Sequence, residues 1–494
     1  MAATSPTIDQ AAPRERQPRA LSTIFFTEMW ERFSYYGMRA LLVLYLVHAL
    51  GYQRADALEL YAIYTALVYI SPIIGGYLAD RYLGTRKAIL VGGITMAMGH
   101  FAMAFPPLLH LALGLLVAGN GFFKPNLATM LGTYYREHDA RRDPGFTIYY
   151  MGVNLGAFFS PLVAGTLGEK VGWHYGFASA GVGMCLGLAQ FVIGRDRLGP
   201  NGLPAGKTRL DRADWTQVIV ISAAMIPLVY AVMGAWAVLG PAWNALGGAA
   251  QLALAALVVG GLWFGGNRLA GRQPAASQPL TREEWHRILA ILVMGAFVIF
   301  FWMGFEQAGG TMNLFADQQT DRHLLGWEIP ASYFQAINPI AIFILGFPFA
   351  ILWKHLDRSR WALPTPAKMA LGLIILGLGF VVMALAQTRA DAVGKIGPQW
   401  LFFAYLLHTV GELCLSPVGL SMVTKLAPAR VAALMMGIWY LANAAANYLA
   451  GILEALLKGS SFPLYWFLVG SSVAAGVVLL ALTPAIRYLM HGKG

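Results

Sequence analysis

The chain has 494 residues, of which 57% are hydrophobic and only 12% are charged, and its formal net charge is +11. Soluble domains carry about 25% charged residues, so this composition excludes a soluble enzyme or binding module and indicates a polytopic helical membrane protein. The positive charge does not indicate nucleic-acid binding, because the basic residues lie in short loops between apolar segments. The two cysteines, Cys185 and Cys414, lie in apolar segments, so we expect buried free thiols, without a disulfide or a metal cluster.

The first apolar segment carries charges that are unusual inside a membrane. It follows an N-terminal tail at residues 1–20, which we expect to be a disordered cytoplasmic segment. In an α-helix Glu28, Arg32, Tyr35 and Arg39 share one face, because they are spaced by four, three and four residues. Charges in hydrocarbon are costly, so this stripe should face a wet cavity and its members should pair with one another. The first helix therefore predicts a path for a substrate and an ion.

Apolar segments of about 20 residues, long enough to cross a bilayer, recur along the chain. We predict fourteen membrane spans, at residues 21–49, 56–82, 87–105, 108–134, 145–167, 174–194, 215–238, 243–267, 285–314, 330–355, 364–387, 398–425, 430–456 and 463–489. The predicted domains are an N-terminal six-helix bundle at 21–194, linkers plus two additional helices at 195–284, and a C-terminal six-helix bundle at 285–490. Most of the 35 lysines and arginines fall in loops on the same side as the N-terminus, which predicts that both termini are cytoplasmic.

Three polar features mark the N-terminal half. Asp80, Arg81 and Arg86 lie in a glycine-flanked loop after the second span, which resembles the cytoplasmic loop signature of the major facilitator superfamily; the resemblance implies a gating latch, and the alternative is an ordinary basic loop. Lys124 lies deep in the fourth span, where it either extends to the interface or faces a functional cavity, and the apolar residues on both sides favour the cavity. Asn154 in the fifth span either forms a hydrogen bond between helices or contacts the substrate.

Two acidic positions mark the C-terminal half. Glu306 is a lone acid in an apolar segment, with Trp302 one turn before it on the same face. Asn338 follows in the next span. Glu412 and Ser416 lie one turn apart in the tenth helix of the twelve-helix core, within the sequence Gly-Glu-Leu-Cys-Leu-Ser-Pro. The acids Glu306 and Glu412 would form the anionic pole of a central cavity, and Arg39 and Lys124 of the N-terminal half would form its cationic pole.

Two of these segments resemble the signatures of one transporter family. Residues 28–37, Glu-x-x-Glu-Arg-Phe-x-Tyr-Tyr-Gly, and residues 411–420 are similar to the motifs of proton-coupled oligopeptide transporters, a branch of the major facilitator superfamily. The resemblance covers nearly the whole chain. It implies an all-α major facilitator fold with two six-helix bundles plus two extra helices, as in bacterial members, and a multi-pass protein of the bacterial inner membrane that is not an enzyme.

The resemblance also implies roles for individual residues. It implies that Arg32, Arg39 and Lys124 meet the peptide carboxylate, and that Glu412 meets the α-amino group with help from Asn154 and Asn338. Proton coupling would involve Glu28, Glu31, Arg32 and Glu306. The remaining peptide-binding positions would be Tyr35, Tyr36, Tyr69, Trp302, Ser416 and Trp439.

The function that the sequence predicts is proton-driven import of di- and tripeptides by alternating access through a central polar cavity. The nearest alternative is the same fold carrying nitrate or another small organic anion. A membrane-embedded enzyme and a receptor or structural membrane protein are less favoured, because the sequence contains no recognisable nucleophile, metal pair or acid dyad. We expect no cofactor other than the coupling protons, a monomer embedded in the lipid bilayer, and small peptides as the substrate.

Overall fold

The computed structural model describes residues 16–136, 139, 141–203, 209–244, 280–324, 326–360, 362–428, 431–458 and 462–492. The helices of the first half are α1 Ala20–His48, α2 Arg54–Leu78, α3 Thr85–Ala102, α4 Leu109–Gly132, α5 Arg142–Thr166, α6 Trp173–Ile193, α7 Arg195–Leu198 and α8 Arg212–Asn244. Single π-helical turns extend α2 through Ala79–Leu83 and α5 through Leu167–Val171. The predicted tail and the predicted span at 243–267 lie almost wholly outside the described residues.

The second half continues with the same alternation of long helices and short connections. Its helices are α9 Arg282–Phe305, α10 Thr311–Gln318, α11 Ile337–Leu356, α12 Thr365–Val393, α13 Gln399–Leu426, α14 Ala432–Leu457 and α15 Leu464–Met490. A two-residue hairpin pairs β1, His323–Leu324, with β2, Trp327–Glu328. Among the described helices, ten are long and apolar enough to cross a membrane. Apart from 243–267 and 285–314, each predicted span coincides with a described helix, whereas the domain boundaries remain predictions.

The helices of each half pack mainly within that half. In the first half α1 packs on α5 and α6, and α3 packs on α4; in the second, α12 packs on α13 and α15. Small residues permit the close approach: a Cβ on Gly92 of α3 would lie 2.6 Å from the carbonyl oxygen of Gly119 in α4. Contacts of α2 with α14 and of α5 with α11 join the two halves. The polar residues of α1 lie near this junction.

The two membrane faces of the molecule differ in their connections. We call the face that holds the start of α1, residue 84, residues 194–203 and residues 357–360 the basic face, and the face that holds the β-hairpin the hairpin face. The positive-inside pattern predicts that the basic face is cytoplasmic, and this orientation remains a prediction.

The predicted span at 285–314 lies within one apolar segment long enough to cross a membrane, Arg282–Gln318, but it is not one continuous α-helix. It starts with a capping box, in which the Thr281 hydroxyl accepts from Glu284 N and the Glu284 carboxylate accepts from Thr281 N. The α-helix then ends at Phe305, and a 3-10 turn at Glu306–Gly309 separates it from α10. The turn brings the backbone against α2, since a Cβ on Gly309 would lie 1.9 Å from the Tyr61 hydroxyl oxygen. Glu306 therefore stands at a helix break rather than in mid-helix.

The expectation that both cysteines are buried is also wrong. Cys414 is buried within α13, but Cys185 is exposed on α6. An apolar segment of a membrane helix can face either lipid or protein, because both are apolar surroundings. Hydrophobicity alone therefore does not distinguish the two positions.

Candidate functional site

Arg32 of α1 lies between two carboxylates of the same helix. Its Nε is 3.2 Å from Glu28 Oε1, and its guanidinium also binds Glu31, with Nη2 2.7 Å from Glu31 Oε1. The Asn120 amide of α4 lies 3.5 Å from the same Glu31 oxygen. The side chains of Glu28, Glu31 and Arg32 are at most 4% exposed. Because this cluster holds one more acid than base, a single added proton would neutralise it.

Arg39, two turns further along α1, joins the two halves of the chain. Its guanidinium forms an ion pair with Glu306 at the break after α9. Its Nε donates to the Tyr61 hydroxyl of α2 at 2.6 Å, and the rings of Tyr36 and Tyr61 lie 5.8 and 5.9 Å from its Cζ. The spacing of Arg32 and Arg39 on one face of α1 therefore places one arginine in an N-terminal acid cluster and the other against the C-terminal half.

Lys124 of α4 is the cation of the site without a described counter-ion. Its Nζ lies 4.7 Å from the centre of the Tyr69 ring of α2, and its side chain is half-buried. No carboxylate in the described part of the chain lies within ion-pair distance of it. A cation over an aromatic ring is stabilised by roughly 0.5–2 kcal/mol, which does not replace a counter-ion in a dry site. Lys124 is therefore free to receive an anionic group.

Glu412 of α13 is held by a neutral partner. Asn338 of α11 donates to Glu412 Oε2 at 2.8 Å and to Thr409 Oγ1 at 3.0 Å. The Thr409 hydroxyl donates to the Tyr405 carbonyl at 2.8 Å, so its lone pairs accept from Asn338. Both amide hydrogens of Asn338 are thus used, and no described base pairs with Glu412. The carboxylate is fixed in direction and can still accept a cation.

The other predicted peptide-binding residues differ in their surroundings. Asn154 donates to the Tyr150 carbonyl of its own helix at 2.9 Å. Trp302 contacts Phe301 and Phe305 edge to face. Trp439 is buried, and a Cβ on Gly419 would meet its ring at 2.8 Å, so this indole packs between α13 and α14. The remaining predicted positions are Tyr35, which lies edge to face on Tyr36 with 6% exposure, and Ser416, which is half-buried.

A cluster on the hairpin face was not predicted from the sequence. Glu169, in the π-turn after α5, accepts hydrogen bonds from Ala331 N at 2.6 Å, Ser332 N at 3.0 Å and Ser332 Oγ at 2.6 Å. Arg322 Nη1 lies 3.6 Å from the same carboxylate. Ala331 and Ser332 open the 3-10 turn that precedes α11, so Glu169 caps a helical turn of the opposite half. We call Glu169, Lys170, Arg322, Glu328 and Ser332 the outer latch.

Further ion pairs join the halves on the same face. Lys170 Nζ of the first half lies 2.9 Å from Glu328 Oε2 of the second half, and within the second half Arg322 Nη2 lies 3.1 Å from Glu328 Oε1. The hydrogen bond from Lys170 and then the charge of Arg322 hold the pKa of the Glu328 carboxyl below its usual value. Beside the latch, His48 contacts Asp317 and Arg54 contacts Glu454, both at 2.7 Å. Among the described residues, every ion pair between the two bundles lies here or at Arg39–Glu306.

The comparisons with known proteins give one consistent result. The model of the POT family matches residues 86–229 and 269–466. The chain belongs to the POT family. A di-/tripeptide transporter of Lactococcus lactis subsp. cremoris is 33% identical over 497 residues, which cover 96% of this chain and 97% of that protein. Peptide transporter YePEPT of Yersinia enterocolitica is 32% identical over 513 residues, covering 97% and 96%. The crystal structure of peptide transporter POT in complex with sulfate matches with a TM-score of 0.78 at 38% identity, covering 97% and 96%.

Membership of the POT family confirms the fold class and the location predicted from the sequence. The chain is an all-α, multi-pass transporter of the major facilitator type in the bacterial inner membrane. A second solved structure, of a POT family transporter with a thioalcohol-conjugated peptide, matches with a TM-score of 0.78 at 30% identity and covers 95% of this chain and 97% of that chain. The roles assigned to individual residues stay predictions.

The loop after α2 shows only part of the predicted latch of this POT transporter. The side chains of Asp80 and Arg81 lie outside the described residues. Arg86 donates to the carbonyl of Gly199 at 2.5 Å and to that of Asn201 at 2.8 Å, so it holds the connection between α7 and α8. Its gating role remains a prediction.

Several partners of the predicted residues were missed by sequence reasoning. Tyr61 orients Arg39, Asn120 approaches Glu31 and Thr409 orients Asn338. Each is a polar residue inside an apolar span, which is the one signal that could have found them. Nothing in the spacing of Glu169 and Ser332, which are far apart in the chain, indicated the outer latch.

Proposed function

We propose that this POT transporter is a proton-driven symporter that imports di- and tripeptides by alternating access. The observation that carries the proposal is the division of charge between the halves: Arg39 and Lys124 belong to the N-terminal half, and Glu306 and Glu412 to the C-terminal half. A peptide is a zwitterion with a charge at each end. The transporter would act as a monomer, without chemical conversion of the substrate and with protons as the only coupling ion.

The two charges that lack an ionic partner among the described residues suit the two ends of a peptide. Lys124 would receive the terminal carboxylate, and Glu412 would receive the α-ammonium group. A buried charge without a partner is costly, so a zwitterion that pairs with both groups would be favoured. Asn338 already fixes the direction of Glu412, which reduces the ordering needed on binding. The aromatic rings of Tyr36, Tyr69 and Trp302 would give apolar walls for variable side chains.

Proton coupling would act through the ion pairs of α1. A proton on Glu306 would remove its attraction for Arg39 and so weaken the contact between the halves. A proton on Glu28 or Glu31 would instead neutralise the cluster around Arg32. These two events would link the occupancy of the proton sites to the position of the bundles, because an ion pair formed in one state only shifts the equilibrium between states.

The outer latch would stabilise one of the two alternating states, the state that is closed on the hairpin face. The ion pairs between the bundles in the described chain lie on the hairpin face and at Arg39–Glu306, so this conformation is held together on the hairpin face. With the predicted orientation, that face is periplasmic and the substrate would leave towards the cytoplasm. Release of Glu169 from Ser332 would be required before a peptide can enter from outside.

Uptake of labelled dialanine into proteoliposomes tests the proposal. With an inward proton gradient we expect accumulation above the external concentration, and an uncoupler should reduce it to equilibration. Excess unlabelled dialanine should compete, whereas nitrate should not, because nitrate offers nothing to Glu412. Accumulation that does not depend on the proton gradient would contradict symport. Competition by nitrate but not by unlabelled dialanine would favour anion transport.

A further inference from the structure

A cavity of about 370 Å³ opens where α3, α6 and α8 meet on the basic face, away from the peptide site. Its polar lining consists of Arg86, Arg195, Arg209 and Asp196, and its apolar lining includes Phe191 and Trp215. It lies at the first residues of α3 and α8 and at the last residues of α6. The ends of membrane-spanning helices lie at the level of the lipid head groups, so the cavity lies at that level as well.

The cavity holds more positive charge than its surroundings neutralise. Arg86 is 5% exposed, and its guanidinium donates hydrogen bonds to the carbonyls of Gly199 and Asn201, which are neutral acceptors. Among the described residues, the one acid that lines the cavity is Asp196, which lies 3.9 Å from Arg195, and that pair is largely exposed and therefore weak. No carboxylate among the described residues pairs with Arg86 or Arg209. The cavity is therefore positively charged and favours the binding of an anion.

The apolar wall distinguishes a lipid from a small soluble anion. Leu90, Phe191 and Trp215 line the cavity together with the arginines, and tryptophan is a residue that membrane interfaces favour. Ile193, at the end of α6, is 78% exposed beside it. A phosphate ion would use only the arginines, whereas a phospholipid would place its phosphodiester on the arginines and an acyl chain along the apolar wall.

The rim of the cavity is fixed by specific contacts. Lys87 of α3 reaches across to α8, with Nζ 3.2 Å from Asp214 Oδ1 and 2.7 Å from Gln217 Oε1. The Tyr134 hydroxyl donates to the Leu198 carbonyl at 2.7 Å, which holds the α7 side in place. These contacts hold the walls of the cavity together. One of the walls is supplied by α8, which is one of the two additional helices.

We propose that this cavity binds the phosphodiester head group of an anionic phospholipid, of the phosphatidylglycerol type, from the leaflet at the basic face. Arg195 and Arg209 contact the phosphate from the rim, and Arg86 supplies the buried positive charge. The acyl chain lies against Leu90 and Phe191. The lipid then bridges α6 to α8, which gives this additional helix a role as the wall of a lipid site.

Native mass spectrometry of the purified full-length protein in detergent, titrated with phosphatidylglycerol, tests this site. We expect the double variant Arg195→Gln/Arg209→Gln to bind phosphatidylglycerol at least about 10-fold more weakly, since it removes two of the positive charges that attract the anionic head group. The matched control is Arg197→Gln/Arg358→Gln, which removes the same charge from the basic face outside the cavity, and it should bind as the unmodified protein does. Equal weakening in both variants, or none in either, would overturn the site.

Two further titrations separate the lipid from other sources of phosphate. Phosphatidylcholine should bind more weakly than phosphatidylglycerol to the unmodified protein, and the double variant should lose most of this difference. Glycerol phosphate, which carries the anion without acyl chains, should not displace phosphatidylglycerol at comparable concentration. Displacement at comparable concentration would show a soluble-anion site and overturn the proposal for a lipid. Arg86 is left unchanged throughout because it also holds the α7–α8 connection.

Discussion

Arg39 of α1 and Glu306 at the break after α9 form an ion pair that joins the two halves of the transporter. Both side chains are buried, at 10% and 3% exposure, and the Tyr61 hydroxyl accepts a hydrogen bond from Arg39 Nε. Forming such a pair contributes little net stability, because both ions must be desolvated, whereas removal of one partner costs about 3–5 kcal/mol. The pair is therefore suited to a switch: it is sensitive to the loss of a single charge.

The variant Glu306→Gln tests this switch. We expect it to lose accumulation driven by a proton gradient, because the charge that pairs with Arg39 no longer responds to protons, while exchange of labelled for unlabelled dialanine is partly retained. Both are measured in the same proteoliposomes. The matched control is Glu283→Gln, which removes an acid from the exposed start of α9, where its ion-pair partner among the described residues is Arg287. Undiminished accumulation in Glu306→Gln would rule out its coupling role.

Lys124→Gln tests the cationic pole. The change keeps a polar side chain of similar length beside Tyr69 but removes the charge. Because a charge-assisted hydrogen bond contributes about 1.5–3 kcal/mol, dialanine affinity should fall by roughly 10- to 150-fold. Binding at equilibrium is the measurement, with Lys395→Gln in an exposed loop as the control. Unchanged affinity would mean that Lys124 extends to the membrane interface and does not contact the peptide.

The contrast between Arg32 and Glu169 explains what the sequence could and could not predict. Glu28, Glu31 and Arg32 are neighbours on one helix, so periodicity alone places them together, and the structure pairs them. Glu169 and Ser332 are separated by 163 residues, and each is unremarkable in its own segment. Their contact depends on how two bundles dock, which a pattern within one helix does not contain. The break at Glu306 was missed for a similar reason, since hydropathy averages over a turn of this length.

Glu169→Gln tests the outer latch. The carboxylate accepts three hydrogen bonds from Ala331 and Ser332, and glutamine replaces one accepting oxygen by a donor. We expect the state that is closed on the hairpin face to lose about 1.5–3 kcal/mol of stability relative to the state that is open there. Spin labels at Gln53→Cys and Leu324→Cys, in a Cys185→Ser background, would report a longer distance between the halves. An unchanged distance distribution would show that Glu169 does not hold the latch.

The outer latch should also depend on pH through Glu328. Lys170, Arg322 and His323 lower the pKa of this carboxyl from its usual value of 4.5 in the closed state. A group with a lowered pKa stabilises that state above its ordinary pKa, and the stabilisation is lost as the pH falls through the lowered value. The same spin-label pair should therefore report opening as the pH falls below about 4.5, and Glu328→Gln should reduce the size of this change. Equal pH responses in both proteins would assign the effect to other groups.

Glu412 provides the most direct test of the peptide interpretation. Its carboxylate is directed by Asn338, and no described base neutralises it, so an incoming α-ammonium group would be its first ionic partner. Acetylation of dialanine removes that positive charge and leaves the carboxylate end unchanged. The unmodified transporter should therefore bind N-acetyl dialanine more weakly than dialanine by about 10- to 150-fold, the equivalent of about 1.5–3 kcal/mol.

In Glu412→Gln the discrimination against the acetylated peptide should largely vanish. Glutamine can still accept from Asn338 through its amide oxygen, so the local geometry is kept while the charge is removed. Affinity for dialanine should fall, whereas affinity for N-acetyl dialanine should change little. Both peptides are measured by equilibrium binding at one pH, because transport would also respond to coupling, and Glu283→Gln at the exposed start of α9 serves as the control. A variant that rejects the acetylated peptide as strongly as before would exclude Glu412 as the reader of the amino terminus and leave Glu306 as the anionic pole.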